Sequence, residues 1–202
     1  MKLGSLLALL LLAGSTLAQE PGPTVEKPFV SGGHITMDLE AGDYTIKPAE
    51  SNVVRVSWNR TSYEGKDRVR VTVDTRDSNA TVRIENTPHN NFHAVVEVPR
   101  SCDLYVHLTA GDINMGDITG NKDIESRAGD MNIDIADPND YAHVHASVVA
   151  GDINASAFHG AKSGLFRSFK WTGPGTRTLN VHLWAGDLNL RPTLKSASPS
   201  HN

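Results

Sequence analysis

The sequence predicts an all-β protein, a meander of short strands leading into a solenoid-like stack within one elongated domain. Three observations carry this. First, Ala-Gly-Asp followed by an apolar residue occurs five times: Ala41-Gly42-Asp43-Tyr44, Ala110-Gly111-Asp112-Ile113, Ala128-Gly129-Asp130-Met131, Ala150-Gly151-Asp152-Ile153 and Ala185-Gly186-Asp187-Leu188. A short turn-like unit that recurs in this way marks stacked or meandering β structure. Second, the apolar residues around each copy alternate, but the parity inverts across the tripeptide, as in Val106, Leu108, Ala110 and then Ile113, Met115. An unbroken strand would turn its apolar face to water after such a step. Each Gly-Asp is therefore read as a bend between two strands that share one interior. Third, no window of three helical turns fits the 3.6-residue period.

Taken in order, residues 1–18 read as a secretory signal peptide. Lys2 gives the positive start, Leu6 to Ala13 the apolar run, and Thr16-Leu17-Ala18 the small-x-small cleavage site. The run is too short to span a bilayer, so no membrane span is expected after cleavage. The expected location is the periplasm, the cell surface or the medium. Residues 19–33, with Pro21, Gly22, Pro23 and Pro28, read as an extended leader. The β-repeat domain is placed at 34–191. Its first part alternates as Val54, Val56, Trp58; Val69, Val71, Val73; and Ala94, Val96, Val98, which predicts short strands in antiparallel meander or sandwich-like packing. From about residue 104 the repeat glycines follow at intervals of 18, 22 and 35 residues. Intervals near 20 match one coil of a β-solenoid. The long last interval holds an aromatic segment, Gly164 to Trp171, read as a cap over the open end of the stack. Residues 192–202 are Ser-rich and read as a disordered tail.

Composition excludes several functions. The net charge of −4 is built from interspersed signs, which gives neither a basic stripe for nucleic acid nor a polybasic membrane patch. Cys102 is the only cysteine, so no intrachain disulfide is available. Beside Asp103 and Leu104 it reads as a small core residue, not as an activated nucleophile.

Val96-Glu97-Val98-Pro99-Arg100, then Leu104-Tyr105-Val106, then Ala110-Gly111-Asp112-Ile113 together resemble the bacterial putative-adhesin family. These are exported β-strand-repeat proteins whose domain is one of unknown function. Ile118-Thr119-Gly120 leading into Ala128-Gly129-Asp130 keeps the same cadence, and the resemblance covers roughly residues 34 to 190. It implies a right-handed β-solenoid-like fold and an envelope location, and it brings no catalytic residues.

The repeat chemistry reads first as structure. Gly42, Gly111, Gly129, Gly151 and Gly186 suit a backbone at positive φ, and Asp43, Asp112, Asp130, Asp152 and Asp187 can pin the bend through a backbone N–H. An aligned carboxylate row would attract a hard cation such as Ca²⁺. The units lack the dense Gly-Gly-x-Gly-x-Asp spacing of calcium-binding β-rolls, so no metal or other cofactor is expected. Asn114, Asn132, Asn154 and Asn189 recur two residues after the Asp, either as an amide ladder or as plain solvent-facing polarity. His107 and His182 lie on the outward parity, and His143 and His145 share a strand face, without the third ligand that zinc needs. Trp184 also points outward, between Leu183 and Ala185, and with His107 and His182 marks a candidate ligand surface. The reading is a non-enzymatic, adhesin-like structural or interaction module of the cell envelope, its partner an unidentified envelope protein or glycan. The alternatives are a lectin-like carbohydrate binder and, behind it, a β-helix enzyme acting on polysaccharide.

Overall fold

The computed structural model describes residues 22–59, 69–88 and 91–193; residues 1–18, read above as a signal peptide, and the tail residues 194–202 lie outside them. Seventeen strands follow one another within these bounds. They begin with β1 (Thr24–Pro28), β2 (His34–Leu39), β3 (Asp43–Pro48), β4 (Val53–Trp58), β5 (Arg70–Arg76) and β6 (Asn79–Glu85). Next come β7 (His93–Val98), β8 (Asp103–Leu108), β9 (Ile113–Met115), β10 (Lys122–Ala128), β11 (Met131–Ile135) and β12 (Tyr141–Ala150). The chain closes with β13 (Ile153–Ala155), β14 (Gly160–Lys162), β15 (Leu165–Thr172), β16 (Arg177–Ala185) and β17 (Leu188–Pro192). Two single 3-10 turns, Pro138–Asp140 and Ser156–Phe158, are the helical pieces among the described residues.

The strands form two open, mixed sheets. One runs β1-β4-β7-β3-β9-β11-β17-β13-β14 and the other β15-β12-β16-β10-β8-β2-β6-β5. At the heart of each lie six parallel strands in the same order: β7-β3-β9-β11-β17-β13 in the first, β6-β2-β8-β10-β16-β12 in the second. The orders match because each strand of the second sheet passes directly into its counterpart in the first. Five of those six crossings are the Ala-Gly-Asp corners. The sixth, between β6 and β7, is longer and turns at Asn86 and Asn91, both with φ of 59°.

The interior lies between the sheets. Ile35, Leu104, Leu179 and Val144 form one buried row, and Met37, Val82, Val106, Ile124 and Val181 form the next. Ile46, Val96, Met115, Ile133 and Leu190 face them from the other sheet. The parity inversion is what lets one unit supply both walls of a single core.

Three features differ from the sequence expectations. The strands at 34–108 are not a simple antiparallel meander: β2 pairs in parallel with both β6 and β8, and β3 with β7 and β9. Alternation specifies which face is buried and is silent on strand direction, so the pattern alone could not decide this. The units also do not stack in chain order, as coils of a closed sequential solenoid would. The β6/β7 unit lies outside β2/β3, and β16/β17 is inserted between β10/β11 and β12/β13. Capping accounts for this order. Strands β4 and β5 precede the β6/β7 unit and cover it antiparallel on both sheets. Strands β14 and β15 follow β12/β13 and cover it in the same way. Each outermost unit thus recruits its two covers from adjoining sequence. Finally, the extended leader supplies β1, an edge strand on β4, where Pro28 is tolerated because an edge position lacks one set of partners.

The excursion after β13 caps the core, as its aromatic content suggests. Phe169 is buried and Trp171 partly so. Both pack on Phe158, with ring centroids 6.4 and 4.9 Å away, and Tyr141 meets Phe158 edge-on at 5.9 Å.

Candidate binding surfaces

The Ala-Gly-Asp corners stack into a column in the order 42, 111, 129, 186, 151. The first four glycines donate their N–H to the alanine carbonyl of the next unit, as in Gly111 N to Ala128 O at 2.8 Å and Gly129 N to Ala185 O at 3.0 Å, and Gly151 N, at the end of the column, donates to Gly164 O at 3.3 Å. The residue after each Asp donates to the next Asp carbonyl, as in Ile113 N to Asp130 O at 2.9 Å. Gly111 has φ of 113°, and a Cβ built there would lie 2.0 Å from Gly42 O. Gly129 stands in the same relation to Gly111 O. Backbone conformation and the close approach of the neighbouring carbonyl both demand glycine.

The aspartates pin the corners, but across units instead of within their own bend. Asp130 N donates to Asp112 Oδ1 at 2.8 Å, Asp187 N to Asp130 Oδ1 at 2.9 Å, and Asp152 N to Asp187 Oδ1 at 2.9 Å. Gly164 N completes the row on Asp152 Oδ1 at 3.1 Å. Asp43 departs from it, taking His93 Nδ1 at 3.1 Å. Among the described residues no group of three or more His, Cys, Asp or Glu side chains is arranged to hold a metal ion. An amide ladder runs beside the carboxylates: Asn189 Nδ2 donates to Asn132 Oδ1 and Asn132 Nδ2 to Asn114 Oδ1, each at 3.1 Å.

Trp184, His182 and His107 lie on the outer face of the β15–β5 sheet. Trp184 is 53% exposed and meets the His182 ring edge-on at 5.6 Å. His182 Nδ1 lies 2.7 Å from Ser147 Oγ. His107 shares the register of His182 with Glu125 between them, two strand spacings or about 10 Å away. The structure therefore joins Trp184 to His182 and leaves His107 apart. Phe166, 80% exposed with φ of 54°, stands out from the edge strand β15.

A cleft of about 710 Å³ opens on the outer face of the other sheet, over β1, β4, β7, β3 and β9. Its floor is a row of short side chains in register, Thr24, Ser57, Val95, Thr45 and Asn114. The walls are held by their neighbours. Asn59 donates from Nδ2 to Asn91 O at 2.6 Å and accepts from His93 N at 3.0 Å. Arg55 binds Glu26 and Glu97, at 2.5 and 2.8 Å. Burial opposes the charge of Glu97, but hydrogen bonds from Arg55 and Lys47 outweigh it and hold the carboxyl below the usual range. The sequence reading missed this cleft. Its signal was present, because the first repeat carries Thr45 where other copies carry Asn.

Lys122 was also unforeseen. It is 1% exposed, inside the core on the parity of Ile124, and donates from Nζ to Tyr141 Oη at 2.9 Å and to Gly120 O at 3.3 Å. Burial pulls its ammonium down to about 8. Cys102 is buried as expected, donates to Pro99 O at 3.3 Å, and its thiol is pushed up to about 12 by burial, which leaves it unreactive.

No family model and no curated protein matches the chain. Among solved structures, a "putative cell adhesion protein" from Clostridium sporogenes ATCC 15579 is similar at a TM-score of 0.52 with 13% identity, over 86% of this chain and 100% of that one. A "putative adhesin" from Bacteroides fragilis NCTC 9343 is 10% identical over 85% and 98% of the two chains, with a TM-score of 0.31. Another from Parabacteroides distasonis ATCC 8503 is 11% identical over 57% and 54%, with a TM-score of 0.24. The first similarity establishes a shared fold.

Proposed function

We propose that this chain is an exported, non-enzymatic β-repeat protein that serves as an adhesin-like structural or interaction module of the bacterial cell envelope. One observation carries the reading: the repeated acidic groups are engaged in building the scaffold. Asp112, Asp130, Asp187 and Asp152 each accept a backbone N–H from the adjacent segment, while Asp38, Asp134 and Asp140 pair with arginines. A glycosidase or lyase needs carboxylates poised over a bound substrate. Here they fix two polar outer faces in place, an arrangement suited to presenting a surface. The fold shared with the Clostridium sporogenes protein is in keeping with this.

A lectin-like form of the reading is favoured by Trp184, whose half-exposed ring is oriented by His182. Aromatic rings that offer an apolar face beside a polar tip suit amphipathic ligands. The test is binding of the labelled mature protein to isolated bacterial envelopes, run beside an assay for product release from neutral and uronic-acid polysaccharides. Saturable binding without product release is expected. Release of oligosaccharides, or no saturable binding, overturns the proposal.

A further inference from the structure

We infer that the cleft over β1, β4, β7, β3 and β9 is a binding site for a neutral oligosaccharide. This rests on the interaction-module reading above and adds a place and a ligand class to it. The cleft falls within the ~300–1,000 Å³ of small-molecule sites, which are mostly apolar with a few placed polar groups. Its lining is mixed in the same way: the hydroxyls of Thr24, Ser57 and Thr45 and the amide of Asn114 lie beside Val95, Ala94 and Trp58. A sugar, which carries hydroxyls around an apolar ring face, matches such a lining.

The two ladders end here. The amides of Asn189, Asn132 and Asn114 are aligned in one direction, each donating to the next. This leaves the donor end of the chain at Asn114 Nδ2, in register with Thr45, on the floor of the cleft. Aligned hydrogen bonds polarise one another, so a terminal donor is stronger than an isolated amide. The carboxylate row ends at Asp112, because Asp43 turns to His93; Asp43, Asp112 and His93 all line the cleft. Together they offer acceptors and donors whose positions are already set, so little ordering cost accompanies binding. Trp58, partly buried against the core, adds an aromatic surface to the wall.

Charge selects the class of sugar. Among the described lining residues the Arg55 guanidinium is engaged by Glu26 and Glu97, and the Asp43 and Asp112 carboxylates lie beside the His93 imidazole. An anionic sugar meets repulsion in such a site, whereas a neutral hexose or N-acetylhexosamine does not.

The test is a printed array of neutral tri- to hexasaccharides of hexose and N-acetylhexosamine, with uronic-acid oligomers alongside, followed by calorimetry on the best binder. Three variants are compared with the parent. Asn114→Asp keeps the acceptor that Asn132 needs and removes the terminal donor. Ser57→Tyr fills the floor from an outward strand position, and Trp184→Ala removes the aromatic on the opposite sheet. The inference expects a neutral binder, about tenfold weaker for Asn114→Asp and lost in Ser57→Tyr. If Ser57→Tyr does not fold, the Asn114→Asp affinity decides. Binding lost in Trp184→Ala but kept in the cleft variants overturns the site. Preference for uronic acids overturns the ligand class. An array blank for the parent, with saturable envelope binding intact, overturns the saccharide inference and leaves the module reading standing; loss of both overturns the two together.

Discussion

At the corners, two residues divide the work. Gly111 passes the chain between sheets at a φ of 113° with the Gly42 carbonyl against its Cα. Asp112 then binds the next unit through Oδ1. Gly111→Val is expected to lose about 1–3 kcal/mol to backbone strain alone, and more as the neighbouring carbonyl is displaced. At about 2–4 °C per kcal/mol, calorimetric melting reports it, and an unchanged melting temperature would refute the corner geometry. The Asp is tested by a pair of variants. Asp130→Ala leaves the Asp187 N–H to water and should cost about 0.5–1.5 kcal/mol, the net value of one hydrogen bond. Asp130→Asn keeps an Oδ1 acceptor and relieves repulsion along the row, so its urea midpoint should stay within about 0.5 kcal/mol of the parent. Equal loss in both would mean that charge, not hydrogen bonding, holds the column. Ala-Gly-Asp was legible as a bend because the parity count is purely local. The partner of the Asp carboxylate was not legible: it lies 18, 35 or 57 residues away, a distance fixed by the stacking order.

Strand β15 shows how one element carries two unlike aromatic residues. Phe169 faces the core and closes it over Phe158, while Phe166, three positions earlier, is 80% exposed at a left-handed φ. Phe169→Ala should cost about 3–5 kcal/mol in urea unfolding, as for other large-to-small core changes. Phe166→Gly should cost nothing measurable, since it removes an exposed ring from a conformation that glycine adopts without strain. A cost for Phe166 comparable to that for Phe169 would mean that β15 is held by its outer face. The capping role was legible from the aromatic content between Gly164 and Trp171. Strand direction and order were not, because β2, β8 and β10 share the same alternation and nothing in it states which neighbour each will take. The cleft on the opposite sheet depends on that order: Thr45 and Asn114 are 69 positions apart in the chain, yet adjacent in register.

Among the described residues one cation, Lys122, is buried in the core, and it couples the stability of the whole molecule to pH. Lys122 and Tyr141 belong to β10 and β12, the two strands that flank the inserted β16, and their 2.9 Å hydrogen bond ties these neighbours together across it. Burial lowers the Lys122 ammonium from 10.5 to about 8; Cys102, Asp117 and Asp103 oppose the change, and Arg177 adds to it. The folded state therefore releases this proton before the unfolded chain does. The destabilisation is complete below pH 8 and is relieved as the pH rises toward 10.5, by an amount on the order of 3 kcal/mol at 1.36 kcal/mol per unit. Three buried acids act in the opposite sense. Burial raises the Cys102 thiol from 9.0 and the Tyr141 phenol from 10.0, each to about 12, and pushes the Tyr44 phenol up from 10.0 as well. All three keep their protons in the fold after the unfolded chain has lost them, so stability falls above pH 9 and then more steeply above pH 10. The unfolding free energy should climb from pH 8 to 9, level off to pH 10 and then decline. Lys122→Met should abolish the climb and keep the decline, whereas Cys102→Ala should extend the climb toward pH 10. Urea titrations at half-unit pH steps separate these curves. A climb that survives in Lys122→Met would place its origin elsewhere, and a parent that weakens between pH 8 and 9 would mean that the buried lysine keeps its proton in the fold.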